Sequence, residues 1–232
     1  MITGAAFVPS APMLVPAVAQ GAAAELDDIR AASLDAVRRA LAAPVQRVVI
    51  VGAGSTTRTH ETGTASFRGF GVPYDVPLDP AGPGGDPLPL ALSIGAWLLA
   101  QVGWPGERLA LEVAATADDD ELDDAGVALA QGGVATALLV AADGSAARSE
   151  KAPAHLHPGA EAFDASVAAA LSIGDPALLA AIDPAVAREV TAAGRPAWRT
   201  AAAALHGLRW DAALLADTAP HGVGYLAAAW TR

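Results

Sequence analysis

Arg47-Val48-Val49-Ile50-Val51, running into Gly52-Ala53-Gly54-Ser55, decides the fold. Val48, Val49, Ile50 and Val51 are β-branched, with Pro44 before them and a glycine-rich turn after. A short apolar run without polar alternation reads as a strand covered on both faces, the habit of parallel strands under helices. A second run of this kind lies at 135–142 and ends in Asp143-Gly144-Ser145. Residues 3–8 make a shorter apolar strand that stops at the proline-rich loop 9–16. Further strands are expected at 109–114, 211–216 and 222–230.

Between the strands the period changes. Leu26, Ile29, Leu34, Val37 and Leu41 share one face of a helix expected over 21–42. Residues 88–102 are again helical, and the acidic run 118–124 opens a helix to about Gln131. The stretch 159–206 is helical, punctuated by Gly174, Pro176, Pro184, Gly194 and Pro196. Strand–helix alternation with helices long enough for crossovers predicts an α/β fold: one domain over 1–232, with a mostly parallel central sheet flanked by helices. Residues 52–71 are rich in Gly, Ser and Thr, and 72–88 carry Pro73, Pro77, Pro80, Pro83 and Pro87; the latter segment reads as an insertion. Irregular stretches of this length in a compact domain are usually functional or mobile.

Composition narrows the function. The formal net charge of −11 argues against a nucleic-acid partner, which needs a basic face. The absence of cysteine rules out disulfides, zinc–thiolate sites and thiol nucleophiles. The N-terminus has no Lys or Arg before Arg30, and Pro9, Pro12 and Pro16 break the apolar helix a secretion signal needs. No uninterrupted apolar run is long enough for a membrane span. A soluble, cytoplasmic protein is expected, with no membrane partner.

In open α/β sheets ligands collect beyond the carboxyl ends of the strands. The residues expected there are Ser10, Gly52, Ser55, His60, Asp143, Ser145, Asp217, Thr218 and His221. Several sharper motifs fail on spacing. Gly52-Ala53-Gly54 lacks the third glycine of a dinucleotide loop, because Thr57 stands there, and no Gly-Lys-Ser/Thr ending is present. Neither Ser55 nor Ser145 lies in Gly-x-Ser-x-Gly. Asp118 to Asp124 lacks the glycine and closing glutamate of a calcium loop, and reads as acidic residues favoured at a helix N-terminus. His155-Leu156-His157, in a proline-flanked loop, reads as solvated surface. Trp97, Trp198, Trp210 and Trp230 read as core.

Phe7-Val8-Pro9-Ser10-Ala11-Pro12-Met13-Leu14-Val15-Pro16 resembles the first signature of the class III extradiol ring-cleavage dioxygenases (the LigB superfamily), which read Pro-His-x-Pro there. Val48-Val49-Ile50-Val51-Gly52, Leu138-Leu139-Val140-Ala141-Ala142-Asp143-Gly144-Ser145, Glu161-Ala162-Phe163-Asp164 and Pro220-His221-Gly222-Val223-Gly224-Tyr225 extend the resemblance over nearly the whole chain. It implies an Fe(II) enzyme that opens a catechol-type ring with dioxygen, often as a dimer or paired with a second kind of chain. The departures are systematic. Ser10 stands where the family has an iron-binding histidine, and a hydroxyl is a poor Fe(II) ligand beside an imidazole. Gly52-Ala53-Gly54-Ser55 stands where a second histidine follows the strand, with His60 five residues beyond Ser55. Ala146 follows Asp143-Gly144-Ser145 where the family has its acid/base histidine. The family's carboxylate ligand falls near Thr218, one residue from Asp217.

These departures predict a divergent member with a remodelled, iron-free pocket, acting in ligand binding, altered chemistry or assembly. No cofactor or metal is expected, and a small aromatic ligand and a homo-oligomer are. The alternatives are an active Fe(II)-dependent dioxygenase whose metal would rest on His60, Asp217 and His221, and a non-catalytic oligomeric interaction protein.

Overall fold

In the computed structural model, which describes residues 1–82 and 84–232, the two apolar runs lie side by side in the middle of a seven-stranded sheet. The strands are β1 (Ile2–Val8), β2 (Arg47–Gly54), β3 (Arg58–His60), β6 (Glu107–Ala114), β7 (Thr136–Ala141), β8 (Asp211–Thr218) and β9 (Tyr225–Thr231), in the order β3-β6-β2-β7-β1-β9-β8. β4 (Thr64–Ser66) and β5 (Asp75–Pro77) form a separate two-stranded arm. The β6-β2-β7-β1 centre is parallel, while β3, β9 and β8 pair antiparallel with their neighbours. Five of the seven strands therefore point one way. The result is a single α/β domain with a mostly parallel sheet.

Helices cover both faces, which is why β2 and β7 tolerate no polar alternation. On one face lie α2 (Asp27–Ala40) and α3 (Leu90–Gln101), over Val48, Ile50, Ala110 and Leu139. On the other lie α4 (Asp119–Ala130), α5 (Ala160–Ile173) and α8 (Arg195–Leu205), with short α6 (Pro176–Ala180) and α7 (Pro184–Glu189), over Phe7, Val49, Val51 and Val140. Trp198 and Trp230 are fully buried there. The Trp230 indole N–H donates to the Leu171 carbonyl at 2.8 Å, and its ring meets Phe7 at 4.8 Å.

Three local expectations change. The first long helix starts at Asp27, because 3-10 turns occupy Gln20–Leu26 after α1 (Pro16–Ala19). Gln20, at φ 49°, breaks the two apart, and Arg30 holds the turn through the Leu14 and Ala23 carbonyls. The stretch 159–206 divides into four helices at Gly174, Asp175-Pro176, Asp183-Pro184 and Gly194, where aspartate caps with proline after them restart α6 and α7. Segment 72–88 carries the arm's second strand, β5, and within it Val76, Leu78 and Leu88 are buried in the α3-side core, while Thr64 bridges to Pro87. Pro83 lies outside the described residues. Trp97, Trp198, Trp210 and Trp230 are all buried. Among the described residues no helix is long and apolar enough to cross a membrane.

Candidate functional site

β1 and β7 are neighbours, yet their chains leave in opposite directions. β1 passes to α2 on one face and on to β2; β7 passes to α5 on the other face and on to β8. That divergence is a topological switch point, the kind of place beyond the strand ends where open α/β sheets hold ligands. Ser10 follows β1 there and Asp143 follows β7. The structure joins them: the Ser10 backbone N–H donates to Asp143 Oδ1 at 2.8 Å and the Ser10 hydroxyl donates to Oδ2 at 2.9 Å.

The Asp143 backbone is fixed as firmly as its side chain. Ala142 N–H extends the ladder to the Val8 carbonyl at 2.8 Å, Gly194 N–H donates to the Asp143 carbonyl at 3.1 Å, and Gly144 N–H donates to the Gly224 carbonyl at 2.8 Å. Burial raises the Asp143 carboxyl, and the two Ser10 donors only partly offset this, leaving it at about 6. Tyr225, buried at the start of β9, is pushed up by its own burial and by the nearby Asp143 charge. The pair is thus a carboxyl that changes protonation near neutrality beside a phenol that stays protonated. Such a group can take a proton from a ligand hydroxyl or return one.

Ser55 belongs to a different cluster, built around Glu112 of β6. Glu112 is 1% exposed and accepts five hydrogen bonds. Oε1 receives the Ser55 N–H at 2.7 Å, the Ser55 hydroxyl at 3.3 Å and the Thr56 N–H at 3.1 Å; Oε2 meets Arg58 Nε at 3.3 Å and His60 Nε2 at 2.9 Å. Burial alone would raise this carboxyl, but the bonds from His60, Thr56, Ser55 and Arg58 outweigh it and hold it at about 2. A permanently ionised carboxylate with its lone pairs committed fastens the β2–β3 turn to the sheet. Gly54 is required beside it, since a Cβ there would stand 2.3 Å from Glu112 Oε1.

The remaining expected residues are dispersed. Gly52 lets α3 approach the sheet, a Cβ there falling 2.6 Å from the Ala91 Cβ. Ser145 is fully buried, giving its N–H and hydroxyl to Asp164 of α5, each at 2.7 Å. Arg148 completes the Asp164 site at 3.0 Å, and Gly144 and Gly224 leave room for its carboxylate. Asp217 and Thr218 are exposed at the end of edge strand β8. Partial desolvation by neighbouring chain raises the Asp217 carboxyl, Arg148 pulls it down, and the Asp164 charge adds to the rise. His221 is exposed, stands at φ 57° in the Pro220–Gly222 turn and lies 3.5 Å from Glu25. His155 is exposed, while His157 Nδ1 accepts the Gly159 N–H at 3.1 Å.

His60 and Asp217 lie on the two opposite edge strands, six strand spacings or roughly 25–30 Å apart. The set His60, Asp217 and His221 therefore does not converge on one metal position. Among the described residues no group of three or more His, Asp or Glu side chains is placed to hold a metal ion. Glu112 escaped the sequence reading because a lone acid in Leu109-Ala110-Leu111-Glu112-Val113 gives no spacing motif. Its only signal is a charge where the strand pattern demands burial.

No family model matches the chain, and no curated protein matches it. Among solved structures, an uncharacterized protein from Escherichia coli K12 is similar, with a TM-score of 0.58 and 14% identity over 99% of this chain and 100% of that one. At that identity the likeness shows the fold alone, a shared α/β architecture over the full length of both chains.

Proposed function

We propose that this chain is a divergent relative of the extradiol dioxygenases in which a Ser10–Asp143 pair has taken the place of the iron site, and that it binds a small hydroxylated aromatic molecule at the switch point without iron. The observation that carries this reading is the double hydrogen bond from Ser10 to Asp143. The residue where the resemblance calls for an imidazole has both its donors committed to a carboxylate.

The donor set does not fit Fe(II) in the family manner. Ser10 is engaged by Asp143, Ser55 by Glu112, Ala146 has no titratable side chain, and the histidines are scattered. What remains suits proton exchange with a hydroxyl group. Asp143, at about 6, accepts a hydrogen bond from a phenolic O–H when ionised and donates one when protonated. Buried Tyr225 supplies an aromatic surface beside it.

Elemental analysis after anaerobic Fe(II) loading, paired with catechol titration by NMR, tests the proposal. The expected result is iron far below one equivalent, with saturable catechol binding that Asp143→Ala removes. Near-stoichiometric iron with oxygen-dependent ring opening in the unaltered protein would return the chain to the active dioxygenases. Absence of catechol binding would remove the aromatic ligand.

A further inference from the structure

At the amino ends of β2 and β6, the edge of the sheet opposite the switch point, lies a cavity of about 540 Å³, within the usual range for small-molecule sites. The arm strand β5, the loop after it, the last turn of α3 and the turn into β6 enclose it. Its walls are mostly apolar: Val76, Pro77, Pro80, Ala81, Ala100 and Pro105. The polar side chains among them are Asp79, Trp104 and Arg108.

Arg108, the second residue of β6, is 6% exposed. Its Nη2 donates to the Trp104 carbonyl, the one hydrogen bond its side chain makes among the described residues. Its Nε is buried without an acceptor, and among the described residues no carboxylate lies within 4.0 Å of the guanidinium. The Trp104 indole N–H is buried without an acceptor as well. Polar atoms buried in this way are costly exceptions, and here two of them belong to side chains of one cavity. Burial lowers the Arg108 guanidinium from its ordinary value, against the opposing charge of Asp79.

Asp79 is exposed. Its Oδ1 accepts the Ala81 N–H at 2.9 Å, closing its own turn, and its Oδ2 is left as an acceptor. With one arginine and one aspartate, the lining carries no net charge and so selects neither an anion nor a cation. What it offers is unused donors on buried side chains, an acceptor on an exposed one, and apolar wall between. The uncharged group that answers both is an amide, whose carbonyl accepts and whose N–H donates.

We propose that this cavity binds a small uncharged amide, its carbonyl oxygen at the Trp104 indole N–H and Arg108 Nε, its N–H toward Asp79 and its apolar body along the proline and alanine wall. The site is separate from the Ser10–Asp143 pair and does not depend on the function proposed for it.

Benzamide is the probe, titrated into the full chain by ligand-observed NMR and calorimetry. Acetophenone, with methyl in place of the amide nitrogen, and toluene, with neither polar group, are its analogues. Saturable benzamide binding with a dissociation constant on the order of 1 mM or tighter is expected, with acetophenone weaker and toluene weakest. That order runs against apolarity; a cavity that reads apolar surface alone gives the reverse order, which overturns the proposal. Trp104→Phe weakens benzamide binding about 3- to 10-fold and Arg108→Met at least ~10-fold, each removing one donor. Ala81 is exposed on the cavity wall, so Ala81→Trp obstructs the cavity without entering the core, abolishes binding, and keeps the test intact should an interior variant fail to fold. Asp143→Asn leaves benzamide binding unchanged. No saturable binding overturns the proposal, as does binding indifferent to Trp104→Phe, Arg108→Met and Ala81→Trp; binding lost in Asp143→Asn alone places the amide at the switch point instead.

Discussion

Replacing Asp143 by asparagine isolates the one carboxyl on which the candidate site depends. The substitution is isosteric: the amide oxygen still accepts the Ser10 N–H, and the amide N–H₂ can donate to the Ser10 hydroxyl oxygen. What disappears is titration. Folding raises the Asp143 carboxyl from its ordinary 3.8 to about 6. The native state therefore binds this proton more tightly than the unfolded chain does. Its contribution to stability is complete below about 3.8 and is lost as pH rises through about 6. At 1.36 kcal/mol per tenfold the full gap corresponds to roughly 3 kcal/mol, of which roughly 2 kcal/mol falls between about pH 4 and pH 8. Residual solvent contact screens the carboxyl and pulls the figure toward the lower end. Urea unfolding of both proteins across that range gives the difference directly, with every other titrating group common to both. Relative to Asp143→Asn, the unaltered protein should lose about 2 kcal/mol on going from about pH 4 to pH 8, with most of the change below about pH 6. Parallel curves, or a difference of opposite sign, would show that Asp143 is an ordinary solvated aspartate and remove the basis for proton exchange at the switch point.

Ser10→Ala removes one of two donors to the Asp143 carboxylate, so the Asp143 midpoint should rise by roughly half to one pH unit in a carbon-detected NMR titration; an unchanged or lower midpoint would contradict the pairing. Glu112→Gln leaves five converging donors without a matching acceptor set and should cost roughly 2–4 kcal/mol at neutral pH by urea unfolding. Glu112 is held at about 2, so its contribution is present above about 4.5 and is lost as pH falls toward about 2, opposite in sense to Asp143. The Glu112→Gln deficit should therefore shrink on acidification, and a pH-independent deficit would refute the assignment. Gly54→Ala puts a methyl group 2.3 Å from Glu112 Oε1 and should destabilise by about 1–3 kcal/mol, a lower thermal midpoint being the readout; an unchanged midpoint would mean that the β2–β3 turn is not held by Glu112.

The central strands were legible because burial on both faces leaves a plain signature. β2 and β7 lie where their β-branched and leucine runs stand; α2 follows the 3.6-residue period, while α3 is buried along Ala91–Leu99 and so reads as an apolar run. The lost detail lies where residues answer to neighbours distant in sequence. β3 and the β4–β5 arm are three-residue strands, too short for alternation to show. Ser10 and Asp143 were both legible as strand-end residues, but their bond spans 133 positions and depends on β1 pairing with β7. Gly52 and Ser145 stand in loops and strand ends that look reactive, yet each is absorbed by packing, one under α3 and the other under Asp164. Glu112 shows the converse. A charge inside an apolar strand announces a buried acid, while its partners on the β2–β3 turn follow only from the register of β2 against β6.

The switch point and the start of α8 share one piece of backbone, and that sharing has a physical consequence. The Asp143 carboxyl turns to Ser10 while its carbonyl accepts the Gly194 N–H, so one residue anchors both the switch point and the start of α8. Anchoring is what enforces glycine at 194, since a Cβ there would stand 2.4 Å from the Asp143 carbonyl oxygen, and α8 starts without a side-chain cap. The placing of the polar pair and the seating of α8 are thus two results of a single close contact, not independent features of the edge of the sheet. An altered Asp143 side chain changes the first without moving the second, because Gly194 reads only the Asp143 main chain. A larger residue at 194 would disturb both together, pushing the strand end and the helix apart at the point where they meet.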